Sequence, residues 1–384
     1  MKVVYLDNAA TSWPKPESVS VRMQDLITLG ANPGRGNYRL AEDVRSVLFN
    51  ARVQLARLFN CNDPQSIIFT SSATHALNQA IIGFLQPHDH VITTTIEHNS
   101  VRRPLEYLKN HKAVEVTYIS PRKDWSWDIV SFERQIQKNT KLIVVSHVSN
   151  LTGAITPIEE IGRLAKERGI ALLVDASQSA GVLPIDVVAM NVDMLAFPGH
   201  KGLYGPQGTG GLYINQQLRL EPLIMGGTGN YSEDSEQPLK LPYRYESGTP
   251  NTPGIGGLLA GVEFVLEQTV ERIYEEEMKL TAKLLEELNS IELVRIYGPS
   301  DLRYRTGVVS FNVEGIDPIE LGVLLDEHYG IAVRAGYHCT PIAHQTAGTF
   351  PGGSLRVSFG TFNTDEDVRY LVSALKDIVD NFEL

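Results

Sequence analysis

Two cysteines in 384 residues, Cys61 and Cys339, are too few for a disulfide framework. No apolar run approaches the roughly 20 residues of a membrane span. The opening "MKVVYLDNAATSWPKP" lacks the basic and long apolar regions of a secretory signal. Positive charge is short as well: 34 Lys and Arg stand against 45 Asp and Glu, a formal net charge of −11. That balance argues against a nucleic-acid or anionic-membrane partner. There is no CxxC pair, internal repeat or low-complexity segment, and no metal site is expected. What is left is a globular, cytoplasmic protein, expected to be an enzyme. Its length is generous for one core, so two domains are expected.

What is present is an alternation. From about residue 65 to 215, strand-like runs ("SIIFT", "HVITTTI", "AVEVTYIS", "KLIVVSHVSN", "IALLVDASQS") alternate with helix-like ones ("SSATHALNQAIIGFL", "NSVRRPLEYLKNH", "DIVSFERQIQ", "PIEEIGRLAKERG"). The strand runs are almost continuously apolar, as a parallel sheet covered on both faces requires. The pattern predicts an α/β layer fold with a mostly parallel central sheet, whose ligands collect beyond the carboxyl ends of the strands. Polar clusters fall there: Ser71 to Thr74, Glu97 to Asn99, Ser146 to Asn150 and Asp175 to Gln178. After residue 250 come one or two long helices, then strand candidates "ELVRIYG", "GVVSFNV" and "SLRVSFG" with two further helices. These predict a smaller α+β domain. The expected division is an arm over 1–15 packing on the small domain, a large domain over 16–255 and a small one over 256–384.

The run "AFPGHKGLYGPQGTGGLYI" sets Lys201 behind His200 among glycines. It is neither a P-loop, which needs Ser or Thr after the lysine, nor a G-x-G-x-x-G dinucleotide turn. "TSSATHALN" opens a helix with small and hydroxyl residues, which suits either an ordinary N-cap or an anion at the helix dipole. Asp175 follows a buried strand, where a carboxylate needs a cation or donors; a protonated pyridine nitrogen is one such partner, the cap of the next turn another. Taken together, an anion cradle, Asp175 with Gln178 three residues on, and the His200–Lys201 pair match the needs of pyridoxal 5′-phosphate: a covalent lysine, an acid at the ring nitrogen, a donor at the ring oxygen and a phosphate cup. The glycines around Lys201 are then expected to let the backbone approach the cofactor.

At this point the chain resembles the class V aminotransferase group of fold-type I pyridoxal-phosphate enzymes, and within it the cysteine desulfurases related to selenocysteine lyase. The resemblance runs from "LDNAAT" at residues 6–11 to "FNTDEDV" at 362–368. It implies that Lys201 bonds the cofactor and moves protons, that Asp175 pairs with the pyridine nitrogen and that Gln178 bonds the ring oxygen. It places His98 against the ring as a stacking and proton-transfer residue. Ala73, Thr74 and His200 would hold the phosphate, and Asn150 would sit near the ring oxygen and the substrate. The resemblance further implies a homodimer in which Thr249 of "YESGTPN" crosses to the other subunit's site. One position departs from the family pattern: Pro198 stands three residues before the lysine, where Ser or Thr usually offers a hydroxyl to the phosphate.

Cys61 reads as a buried small hydrophobe. Cys339 follows Arg334 and His338 in a polar, Gly-flanked stretch, where positive neighbours favour the nucleophilic thiolate. "VRAGYHC" followed by "LRVSFG" matches the desulfurase pattern, by which Cys339 attacks the substrate sulphur and Arg356 clamps the substrate carboxylate. Its planar fork suits that role. The short interval between them resembles the subgroup with a short cysteine loop, and "HCTPIAH" an under-characterised branch of it. The expected substrate is L-cysteine or L-selenocysteine, with a sulphur-acceptor protein as a further partner. Other reactions of the same cofactor, including selenocysteine lysis and transamination, are the alternatives. A non-catalytic protein holding some other phosphate ligand is the remote one.

Overall fold

The computed structural model describes residues 3–34, 36 and 38–381; residues 1 and 2 of the expected arm and 382–384 of the expected small domain lie outside them. Among the described residues thirteen strands run in chain order: β1 (Val4–Tyr5), β2 (Ile67–Thr70), β3 (His90–Thr94), β4 (Glu115–Ile119), β5 (Thr140–Ser146), β6 (Ala171–Asp175), β7 (Met194–Pro198), β8 (Gly210–Ile214), β9 (Val294–Tyr297), β10 (Val308–Val313), β11 (Ile331–Ala332), β12 (Arg334–Gly336) and β13 (Ser354–Ser358). Seven form one sheet in the order β2-β8-β7-β6-β5-β3-β4. The pairs β7–β6, β6–β5, β5–β3 and β3–β4 are parallel, while β8 runs antiparallel to both neighbours.

The apolar runs explain why this sheet is interior. Ile92, Ile143, Val145, Leu172 and Val174 face one helix layer, and their neighbours Val91, Leu142, Val144 and Leu173 face the other. Each strand therefore buries both of its faces, as a parallel sheet between helices demands. The long segment after residue 250 forms two helices, Thr252–Gln268 and Val270–Asn289. They break at Thr269, whose φ of 65° no helix accommodates.

A second sheet, β12-β13-β10-β9, is antiparallel throughout. It lies on its own core of Leu284, Phe311, Leu355, Val357 and Leu371. β1, β7, β8, β11 and β12 were not among the expected strands, and the last is the shortest of this sheet. It has three residues, none of them fully buried, too few to show a period. β1 pairs in parallel with β11, Val4 opposite Ile331. The first strand is thereby held by the segment beside the second sheet.

Candidate active site

Four parallel strands end at one place. Thr94, Ser146, Asp175 and Pro198 are the last residues of β3, β5, β6 and β7, and Ser146 lies directly opposite Asp175 in the ladder. Two helices start here, Ala73–Phe84 and Asn99–Lys112, with Ser72 and His98 as their N-caps. Both side chains accept a hydrogen bond from their own first turn: Ser72 Oγ from the His75 N–H at 3.2 Å and His98 Nδ1 from the Ser100 N–H at 3.0 Å. Strand ends, helix starts and the turn carrying Lys201 enclose a cavity of about 170 Å³. Ala73, Thr74, His98, Asn150, Asp175, Gln178, His200 and Lys201 all line it.

The walls carry unusual protonation. Lys201 is pulled from 10.5 to about 8, first by burial and then by the positive field of Arg356, with Asp175 opposing. Burial also raises Asp175, although Ser177 donates to it from both its N–H and its hydroxyl. The other Asp175 oxygen receives no donor from the described residues. His98 is lowered to about 4 by burial and by Lys201. With Nδ1 accepting from Ser100, its ring proton sits on Nε2. Beneath them Glu97, raised to about 7 by burial, accepts from the Ser146 N–H at 3.0 Å and the Ser146 hydroxyl at 2.7 Å.

Cys339, Arg356 and Thr249 are not among the residues lining the cavity, and two lining residues, Asn150 and Gln178, bond to backbone around it. Cys339 is exposed, with φ at 61°, and an Arg334 Nη2 lies 3.7 Å from its Sγ. Its carbonyl accepts from the Asn99 N–H at 2.9 Å, tying the thiol segment to the start of the His98 helix. Asn150 donates to the His338 carbonyl at 2.7 Å. Arg356 is 1 % exposed, pairs with Asp7 at 2.7 Å and donates to the Asn150 carbonyl. Gln178 donates to the Ala9 carbonyl at 3.1 Å. Thr249 is exposed and outside the cavity of its own chain. Asp7, Glu97 and Ser100 gained no role from the sequence. Asp7 and Arg356 lie 349 positions apart, and no local pattern signals such a pair.

The glycines beside Lys201 make room for neighbouring protein atoms. A Cβ on Gly199 would stand 2.1 Å from Thr209 Oγ1, and one on Gly202 2.5 Å from the Ala180 carbonyl oxygen. Both seat the lysine turn against neighbouring backbone.

The residues present fit a phosphorylated pyridine. His200 Nδ1 is buried with no partner, and the first-turn amides of Ala73 and Thr74 have none among the described residues. Asp175, with one carboxylate oxygen that receives no donor from the described residues, lines the same cavity.

Residues 4–371 match the family model described as aminotransferase class-V. A probable cysteine desulfurase of Pyrococcus abyssi is 35 % identical over 98 % of this chain and 94 % of its own length. A probable cysteine desulfurase of Methanothermobacter thermautotrophicus is also 35 % identical, over 98 % of this chain and 94 % of its own. Among solved structures, the apo cysteine desulfurase of Thermococcus onnurineus superposes with a TM-score of 0.93 at 34 % identity, covering 99 % of this chain and 95 % of that one. The architecture is thus shared along nearly the whole length, and the chain belongs to the class-V aminotransferase family of fold-type I pyridoxal-phosphate enzymes.

Proposed function

We propose that this protein is a pyridoxal 5′-phosphate-dependent cysteine desulfurase that converts L-cysteine to L-alanine and leaves the sulphur on Cys339 as a persulfide. The observation that carries it is Lys201 and Asp175 lining one cavity, with the Cys339 segment tied by hydrogen bonds to Asn99 and Asn150 and with Arg334 beside its thiol. When bound, the cofactor supplies an electron sink for the substrate's α-carbon. The chain supplies the rest. Ala73, Thr74 and His200 hold the phosphate, Asp175 accepts from the ring nitrogen, and Gln178 and Asn150 serve the ring oxygen. His98, which lines the cavity, would lie against the ring with its Nε2 proton available. Arg356 holds the substrate carboxylate, and the Lys201 amine takes the α-proton and returns one.

The sulphur step balances without an external oxidant. The Cys339 thiolate attacks the substrate sulphur, an S–S bond forms and the C–S bond breaks. The electron pair goes to the substrate's β-carbon, which takes a proton and leaves as alanine. In this reading the protein is a cytoplasmic homodimer, Thr249 reaches the partner's cavity, and an acceptor protein removes the sulphur. The arm (1–15), large domain (16–255) and small domain (256–384) bring Arg356 and Cys339 to the cavity. Among the described residues no helix is long and apolar enough to cross a membrane.

Alanine released from L-cysteine by the purified protein, beside Lys201→Ala and Cys339→Ala, is the test. Loss in both variants is expected. Full release by the cysteine variant would rule out the thiol's role and favour a lyase, for which L-selenocysteine is the comparison substrate. An amino-acid and keto-acid pair tests transamination. A protein that merely binds a phosphate ligand would show no coenzyme absorption that depends on Lys201.

A further inference from the structure

We infer that Ser100 is a phosphate ligand of the cofactor, the donor that completes the cup at the start of two helices. The inference rests on the cofactor reading above and adds to it a residue on the second helix. Five serine and threonine hydroxyl residues line the cavity: Ser72, Thr74, Ser100, Ser146 and Ser177. Ser146 is committed to Glu97 and Ser177 to Asp175. Ser72 caps its own helix. Pro198, on the strand that precedes Lys201, has neither a hydroxyl nor an N–H to give.

Only Thr74 and Ser100 keep hydroxyls turned to each other across the two helix starts, with Oγ1 and Oγ 2.7 Å apart. The amides of Ala73 and of Thr74 itself have no partner among the described residues. The second helix has no amide to contribute. Its Asn99 N–H goes to the Cys339 carbonyl, its Ser100 N–H to His98 Nδ1 and its Val101 N–H to the His98 carbonyl. Its contribution to an anion must therefore come from a side chain, and Ser100 is the one that faces Thr74. A phosphate seated against Ala73 and Thr74 meets that hydroxyl as a charge-assisted donor. Ser100 Oγ is also 2.9 Å from His98 Nδ1, so its removal could act through the His98 ring instead. The experiment must separate the two routes.

The test titrates the apoprotein with pyridoxal 5′-phosphate and, separately, with pyridoxal, which has the same ring and aldehyde but no phosphate. Absorbance of the bound form is the readout, so no turnover is needed. Ser100→Ala is expected to weaken pyridoxal phosphate about tenfold, the scale of one charge-assisted hydrogen bond, and to leave pyridoxal binding unchanged. Ser100→Thr keeps the hydroxyl and is expected to hold both as the unaltered protein does. Placing a hydroxyl across the cavity with Pro198→Ser in the Ser100→Ala background is expected to recover part of the loss. Equal binding of pyridoxal phosphate by Ser100→Ala and the unaltered protein overturns the inference and leaves the cofactor reading standing. Equal weakening of both compounds overturns it too, assigning Ser100 to the ring through His98. If the unaltered protein binds neither compound, the cofactor reading falls and the inference with it.

Discussion

Lys201 is an amine enclosed by protein and faced by a guanidinium, and both lower its proton affinity to about 8. A lysine attacks an aldehyde only as the neutral amine. At neutral pH roughly a tenth of Lys201 is in that form, against well under a thousandth for an ordinary lysine near 10.4. Cofactor loading of the apoprotein should therefore accelerate as pH rises and level off above a midpoint near 8. Asp175 opposes the shift, so Asp175→Asn should move that midpoint to lower pH. Stopped-flow absorbance against pH reads both, and a midpoint near 10 in the unaltered protein would contradict the enclosure. At this scale, what the sequence revealed was the chemistry that sits in short runs: Lys201 beside His200, and Asp175 at a strand end. It hid Asp7, Glu97 and Ser100, whose significance comes from partners brought together only by the fold.

Elements were legible where a period repeats. The apolar runs of β3, β5 and β6 announce a sheet buried on both faces, and the helix over Ile158–Arg168 follows from its spacing and polar face. Legibility fails for β1, β11 and β12, which are too short to carry a period, and for β7 and β8, which flank the glycine-rich turn of Lys201. It fails also for the glycines, because composition does not say which neighbour a missing Cβ makes room for. Gly162 shows the difference. Within a helix, Gly→Ala ordinarily stabilises by about 1 kcal/mol. Here the added carbon would stand 1.9 Å from the Met190 carbonyl oxygen, a backbone atom that cannot swing aside. Gly162→Ala should destabilise by roughly 1–3 kcal/mol, measured by urea denaturation; a more stable variant would mean that the helix is not seated so closely.

Across the whole molecule, the α/β architecture with its second, smaller sheet was legible from the change of pattern near residue 250. The way the parts close on one another was not. Glu277 belongs to that closure. It lies on the helix Val270–Asn289 beside a small cavity also lined by Asn8, Tyr204 and Thr306. It is buried without a hydrogen-bond partner for its carboxyl among the described residues, and burial raises it to about 8. The folded state holds this proton more tightly than the unfolded chain. The stability it supports is therefore present below the ordinary carboxyl range and is lost as pH rises toward about 8. Each unit of separation is worth about 1.4 kcal/mol. Glu277→Gln, which cannot ionise, should raise the melting temperature more at about pH 9 than at about pH 5. Calorimetry at the two pH values checks this, and an equal effect at both would mean that the carboxylate finds a compensating charge.

The pairing of β1 with β11, and of Asp7 with Arg356, also bears on the order in which the molecule comes into being. A ribosome makes Val4 and Asp7 long before their partners Ile331 and Arg356, with Asp7 and Arg356 lying 349 positions apart. The strand ends and helix starts around Lys201 all precede residue 202. During translation the cavity's own walls are thus complete while the opening segment still waits for its berth. Asp7 can meet Arg356 only after β13 of the second sheet has been made, so a late segment decides when a much earlier one is fastened.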